Sequence, residues 1–310
     1  MRQPRFGLFF PQVGASFPIV RERAQQLDRL GYDSIWFVDH FWSRGLPEVD
    51  HLEAWTLMAA TAAVTERLKI GTLVVCNSYR NPALVAKMSA SLDHISGGRF
   101  VLGMGAGWMD EEYRAYGYPF PSIRVRLDQL DESLHIIHRM LTEPKATFQG
   151  RYYSIQEAVN RPFPVQKPRP PILIGGAGEK RMLRLVAEHA DIWNCPNNVA
   201  PQLPQKLSKL HEHCAAIGRN PEEIEISEQC VVILGRDQAD LRRKVELAHA
   251  TIGSVFDIDA TALIGMPDQL IDVISARIRQ GVTFFTMLFG DLNAPETLEL
   301  FAEKVAPAFT

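Results

Sequence analysis

The sequence predicts an α/β chain folded as a (β/α)8 TIM barrel, and three observations predict it. Strand-like and helix-like segments alternate almost without exception along the 310 residues. The strand-like segments number eight, which is the arithmetic of that barrel. Chemically unusual residues follow strands two, three, four and five, whereas a doubly wound open sheet gathers its ligand at one crevice. No repeat, low-complexity tract or charged linker divides the chain, so residues 1–310 read as a single domain.

The elements follow in order. Arg5 to Phe10 is a strand ended by Pro11, and the next helix presents Val20, Ala24 and Leu27 before Gly31 closes it. Ser34-Ile35-Trp36-Phe37-Val38 is short, β-branched and aromatic, a fully buried strand ending at Asp39. A helix over Trp55 to Val64 precedes the strand Leu68 to Val75. Pro82 opens the next helix at the favoured first-turn position, with Val85, Met88, Leu92 and Ile95 on one face and Gly97-Gly98 as its stop. Phe100 to Gly103 is the fourth strand, and Leu127, Leu130, Leu134, Ile137 and Leu141 line the fourth helix. Ile172 to Ile174 forms the fifth strand, followed by a helix from about Glu179 to His189 and the short strand Ile192-Trp193-Asn194. A helix over Leu203 to Ile217 leads to strand seven, Glu223 to Leu234. Helices from Asp237 and Pro267 precede the last strand, Thr283 to Phe289, and a terminal helix. Two connections, Ala106 to Arg126 and Thr142 to Pro171, exceed ordinary loop length and are expected to be functional lids.

Composition fits an enzyme of this class. Apolar residues make up 46% and charged residues 22%, enough for a large core and too few charges for disorder. A net charge of −3 argues against a general nucleic-acid or membrane-surface role. No apolar run approaches the roughly 20 residues that cross a bilayer. Met1 to Pro4 lead directly into the first strand, too short for a signal peptide, so the cytoplasm is the expected location. Cys76, Cys195, Cys214 and Cys230 are scattered, with neither a disulfide framework nor a thiolate metal pattern. His211, His213 and Cys214 look metal-like, but residues two apart on a helix point to different faces, so they read as a solvated surface. No metal is expected.

Three places carry candidate chemistry. Asp39 and His40 stand at the tip of the second strand, where burying an acid and an imidazole is costly unless they are paired or used. A carboxylate that holds an adjacent imidazole prepares a proton donor or acceptor near neutral pH. Gly103-Met104-Gly105-Ala106-Gly107-Trp108 follows the fourth strand. As a dinucleotide fingerprint it is weak, since the acidic Asp110-Glu111-Glu112 follows in place of a compact helix, yet small residues there let a flat ring approach the backbone. Gly175-Gly176-Ala177-Gly178 follows the fifth strand and precedes a helix, an arrangement that offers backbone N–H groups to an anion.

Taken in order, these pieces resemble the bacterial luciferase-like monooxygenase superfamily, and within it the deazaflavin (coenzyme F420)-dependent oxidoreductases. The resemblance covers essentially the whole chain. It is carried by Phe6 to Phe9, Ser34 to His40, Gly71 to Pro82, Asp93 to Phe100, Gly105 to Trp108 and the cluster from Gly175. It implies a flavin-type ring held at the strand C-termini, with Asp39, His40 and Trp42 toward the ring or substrate. Leu73, Val74, Cys76, Gly105, Ala106, Gly107 and Trp108 would contact the cofactor, with a non-proline cis peptide at Leu73–Val74. The phosphate tail would lie by Gly175, Gly176 and Gly178. The catalytic glutamate of the glucose-6-phosphate-oxidising branch falls at Trp108, so that branch's reaction is not implied. The resemblance also implies a homodimer.

The expected reaction is hydride transfer between F420 and a small-molecule substrate, with His40 moving the proton, Asp39 orienting it, and Trp42 and Trp108 excluding water. FMN-using members share most of the motifs, so an FMN-dependent monooxygenase is the alternative. A flavin-binding protein without turnover is a third reading, opposed by the acid–imidazole pair.

Overall fold

The computed structural model describes residues 3–309. Met1 and Arg2, which open the segment read as too short for a signal peptide, lie outside the described residues, as does Thr310. The strands are β1 (Arg5–Phe9), β2 (Ser34–Phe37), β3 (Lys69–Thr72), β4 (Val75–Cys76), β5 (Phe100–Gly105), β6 (Ala146–Gln149), β7 (Ser154–Ala158), β8 (Ile172–Gly175), β9 (Ile192–Cys195), β10 (Glu225–Leu234), β11 (Leu263–Gly265) and β12 (Phe284–Phe289). The helices are α1 (Phe17–Leu30), α2 (Ala54–Ala63), α3 (Pro82–Ile95), α4 (Asp110–Ala115), α5 (Ile123–Thr142), α6 (Met182–His189), α7 (Leu203–Ala216), α8 (Gln238–Ile252), α9 (Ile258–Thr261), α10 (Pro267–Arg279) and α11 (Pro295–Lys304).

Parallel pairing runs β12-β1-β2-β3-β5-β8-β9, and β10 bonds to both β9 and β12, closing the expected eight-stranded barrel. The fourth small strand, β4, continues β3 after an interruption at Leu73–Val74, whose peptide is cis, and pairs with the end of β5. β11 adds in parallel to the end of β10, an element too short for the sequence pattern to reveal.

The barrel interior is filled by side chains. Trp36 is 1% exposed and lies across the spaces left by two glycines. A Cβ on Gly7 would meet the Trp36 indole nitrogen at 3.0 Å, and one on Gly71 would meet its ring at 2.5 Å. Phe9, Val101, Leu173, Val231, Phe284 and Leu288 pack around it. Outside, each helix lays its apolar stripe on the strands, as Val20, Ala24 and Leu27 of α1 do. On α3 the buried face is Val85, Ala86, Ser89, Ala90, Leu92 and Asp93, while Met88 is half-buried. Ile95, read as part of that face, is 51% exposed because it is the last residue of the helix, beyond the strands.

The two long connections are both folded. The first contains α4 and leads to the site described below. The second forms the antiparallel β6–β7 hairpin and then a proline-rich strap. Phe148 of the hairpin stacks on His135 of α5, and Gln166 of the strap bonds Asp93 of α3 at 2.6 Å. Those contacts lay part of it on the helical shell, while Tyr153, at the turn of the hairpin, reaches Asn77 just beyond β4. Among the described residues no helix is long and apolar enough to cross a membrane.

Candidate active site

The loop after β2 is pinned from both sides. The Gln12 side-chain amide donates to Val38 O (2.8 Å) and Leu52 O (3.0 Å), while its oxygen accepts from Val38 N (3.1 Å). The next two residues then diverge, because neighbours leaving a strand point to opposite sides.

Asp39 turns inward and is 4% exposed. It accepts from Cys76 N at 2.9 Å and from Arg80 at 2.8 Å, and Arg80 also bonds Glu53 at 2.7 Å. Burial pushes its carboxyl up to about 6, with Arg80 and the Cys76 amide pulling the other way. Asp39 therefore fastens the second strand tip to β4 and makes no hydrogen bond with His40. The expectation that Asp39 orients the imidazole is wrong.

The acid that holds His40 is Glu112. His40 Nδ1 lies 2.8 Å from Glu112 Oε2, Tyr79 OH donates to the same oxygen at 2.8 Å, and Phe41 N donates to Oε1 at 2.5 Å. The Glu112 side chain is fully enclosed. Burial alone would raise its pKa, but the bonds from His40, Tyr79 and Phe41 outweigh that and hold it below the usual value. An ionised carboxylate only accepts, so it fixes the proton of a neutral His40 on Nδ1 and leaves the Nε2 lone pair free. The His40 side chain is 27% exposed, and Nε2 makes no hydrogen bond among the described residues.

Sequence reasoning missed Glu112 because three acids, Asp110, Glu111 and Glu112, open α4, where acids also suit the helix dipole. A signal was present. Met109, Glu112 and Tyr113 are spaced i, i+3, i+4 and are all buried, whereas Glu111 is exposed.

Aromatic rings wall the site. Trp108 is 58% exposed, stands edge-on to His40 with ring centroids 5.4 Å apart, and lies 5.7 Å from the Arg44 guanidinium. It is not part of the packed core. Trp42 is half-buried and stacks on Tyr116 at 5.7 Å, and Phe41 stacks between Tyr79 (4.6 Å) and Tyr116 (4.2 Å). His51 lies nearby, its Nδ1 3.3 Å from Ser43 Oγ and its Nε2 enclosed without a partner among the described residues. Burial pushes His51 down to about 4, so it is neutral at ordinary pH.

The glycines of the fourth and fifth strand tips have a reason other than ring access. A Cβ on Gly105 would meet Val74 at 2.5 Å, one on Gly175 would meet it at 3.0 Å and one on Gly103 at 3.3 Å. Together they form a socket for Val74, placed there by the turned backbone at Leu73–Val74. Gly107 adopts φ 75°, and its Cβ direction is filled by the Tyr113 hydroxyl and the Cys76 sulfur. Cys76 Sγ lies 3.1 Å from that hydroxyl, and burial pushes the thiol up to about 11, so it is no nucleophile. Leu73 and Val74 stay partly open, and Ala106 is buried beside them.

Beyond β8, Gly176 takes φ 123°, which an L side chain rarely adopts, and its carbonyl accepts from Trp193 at 2.8 Å. Its N–H is already directed at Asn194 O (3.4 Å), so the loop amides without a backbone partner among the described residues are those of Ala177 and Gly178. Between α5 and the start of α6 opens a cavity of about 500 Å³ lined by Ile123, Arg124, Leu127, Asp128 and Arg181. The sequence pointed to the loop but not to this cavity, where Arg181 pairs with Asp128 and donates to Arg124 O at 3.0 Å. The metal-like trio disperses: Cys214 is buried, His213 bonds Glu179 O at 2.7 Å and His211 is exposed.

Known proteins resemble this chain in sequence and in fold. An F420-dependent glucose-6-phosphate dehydrogenase of Kineococcus radiotolerans is 30% identical over 207 residues, 65% of this chain and 60% of that one. An FMNH2-dependent dimethylsulfone monooxygenase of Pseudomonas putida is 27% identical over 93% of this chain and 86% of that protein. In fold, the chain superposes on an F420-dependent secondary alcohol dehydrogenase with a TM-score of 0.85 at 21% identity, covering 100% of each. The family model for luciferase-like monooxygenases matches residues 5–257, most of the barrel and every residue placed in the site above, so the chain belongs to the luciferase-like monooxygenase family.

Proposed function

We propose that this protein is an oxidoreductase that passes a hydride between coenzyme F420 and a small organic substrate, with His40 exchanging the accompanying proton. The observation that carries the reading is the contact between His40 Nδ1 and the enclosed Glu112 at 2.8 Å. A hydride leaving or reaching a carbon that bears oxygen requires a proton to move at that oxygen, and an imidazole with one nitrogen fixed and the other free can move it. When bound, F420 supplies a ring carbon that carries hydride in place of a nitrogen that captures oxygen.

The residues present fit such a group. The amides of Ala177 and Gly178, without a backbone partner among the described residues, suit an acidic tail, and the cavity by Arg124 and the Arg181–Asp128 pair lies at the start of the next helix. Leu73, Val74, Cys76 and Ala106 offer an apolar seat for a flat ring. Gly105, Gly107, Gly175 and Gly176 act by shaping that seat. Trp108 and Trp42 exclude water from the substrate side, and Glu112 keeps His40 in one tautomer. Asp39 acts as a positioning residue through Cys76 and Arg80.

The match to the dimethylsulfone monooxygenase over 93% of the chain favours a second reading, an FMN-dependent monooxygenase using reduced flavin and oxygen. Separate titrations of the purified protein with oxidised F420 and oxidised FMN, followed by an anaerobic assay, test the choice. F420 binding with anaerobic turnover supports the first reading. FMN binding with activity that needs oxygen replaces it with the second. In either case His40→Ala should lower turnover about 10²–10⁴-fold and leave cofactor affinity within a few-fold.

A further inference from the structure

A second constellation of ligating side chains lies on the helical shell. α6 ends at His189, three residues before β9 begins, so its last turn is at the end of the barrel opposite the His40 strand tip. There His189 meets Asp131 and His135 of α5, which are one helical turn apart and share a face. We propose that Asp131, His135 and His189 form a binding site for one divalent ion of the zinc class, clamping α5 to α6.

The geometry is close to that of an occupied site. A tetrahedral ion with bonds of about 2.1 Å sets its ligand atoms about 3.4 Å apart. Asp131 Oδ1 lies 3.2 Å from His189 Nε2 and 3.6 Å from His135 Nε2, and all three atoms are within 4.8 Å of one another. Two imidazoles and one carboxylate are the donor set that zinc accepts, with a fourth position left for water.

The surroundings hold the ligands in place. Arg184 approaches Asp131 through the other oxygen, Oδ2, at 3.3 Å, which orients the carboxylate and leaves Oδ1 for the ion. Glu188, held by Arg184 at 2.7 Å, stands 3.9 Å from His189 Nε2 and adds negative charge beside the site. Phe148 of the hairpin stacks on His135 at 6.0 Å with an interplanar angle of 19°. This site is independent of the redox reading, since none of its residues touches the His40–Glu112 pair.

The test is a titration of chelator-treated full-length protein with Co²⁺ and with Zn²⁺. One equivalent of Co²⁺ per chain should bind with the visible absorption of a four- or five-coordinate ion, and Zn²⁺ should displace it and raise the unfolding temperature. His135→Ala, an exposed change that leaves the fold intact, should abolish the spectrum and the thermal shift. Asp131→Asn should weaken binding by at least about tenfold. His211→Ala, at an exposed histidine elsewhere, should change nothing. A spectrum of hexaquo-like Co²⁺, binding that survives His135→Ala, or binding lost in His211→Ala would each overturn the assignment.

Discussion

Glu112→Gln isolates the group that prepares His40. The carboxylate accepts three bonds, from His40 and Tyr79 on one oxygen and Phe41 N on the other, and the residue is 0% exposed. Glutamine has one acceptor oxygen and one donor nitrogen. If the oxygen faces His40 and Tyr79, the NH2 group points at Phe41 N and a buried donor is orphaned, at about 1–3 kcal/mol. The two remaining bonds change from charged to neutral acceptors and lose about 1 kcal/mol each. Relief of the desolvated charge offsets part of this, so the net loss of stability is about 2–4 kcal/mol. If the amide reverses, its nitrogen donates to Nδ1, the ring proton moves to Nε2, and the imidazole presents the wrong tautomer to substrate. The same fault arises when an amide replaces the orienting carboxylate of a serine-protease triad, and there it costs about 10⁴ in turnover. A fall of about 10²–10⁴ in kcat is expected for Glu112→Gln, with cofactor affinity within a few-fold. Steady-state kinetics, cofactor titration and a denaturant melt read the three quantities. A kcat within about threefold of the parent would refute the role given to Glu112, whatever happened to stability.

Three further outcomes follow from the same contacts. Gly176→Val places a side chain at φ 123°, against Met182 atoms 3.2 Å away, at a cost of about 1–3 kcal/mol; circular dichroism should still show the barrel, and cofactor binding measured by fluorescence should fall at least tenfold. His51 has its folded pKa depressed to about 4 from 6.5, so the unfolded chain binds the extra proton between those values and stability declines as pH drops from 6.5 to 4. With screening at a half-buried ring the decline is about 2 kcal/mol, and denaturant midpoints of His51→Gln should lack that part of it. Glu228 is fully buried with neither oxygen hydrogen-bonded among the described residues, only Arg277 at 3.5 Å, and burial pushes it up to about 7. Its folded pKa is raised, so stability is lost as pH rises from about 4.5 through 7. Glu228→Gln should therefore stabilise by up to about 3 kcal/mol at pH 8 and by much less at pH 5, where an equal effect at both would count against the charge argument.

The barrel was legible because each strand writes its own signal. Ser34 to Val38 is β-branched and aromatic, Pro82 and Gly97 bracket a helix, and periods of 2 and 3.6 need only local residues. What escaped was short or non-local. β11 has three residues, fewer than any pattern needs, and it exists because β10 offers an edge beyond the barrel. The site divides in the same way. His40 and Trp108 stand where the strand-tip argument puts them, because register fixes where a strand ends. The partner of His40 did not follow, since adjacency in sequence suggested Asp39, yet consecutive residues beyond a strand face opposite ways. The acid within reach comes from 72 residues away, on a helix of six residues inside a connection that local patterns read only as a long loop. The glycines teach the converse lesson. Their spacing was visible, and flat-ring access was a sound use for small residues, but Val74 and Tyr113 already fill the missing side-chain space at Gly105 and Gly107. A glycine in sequence says that something comes close; only the fold says whether it is a ligand or the protein itself.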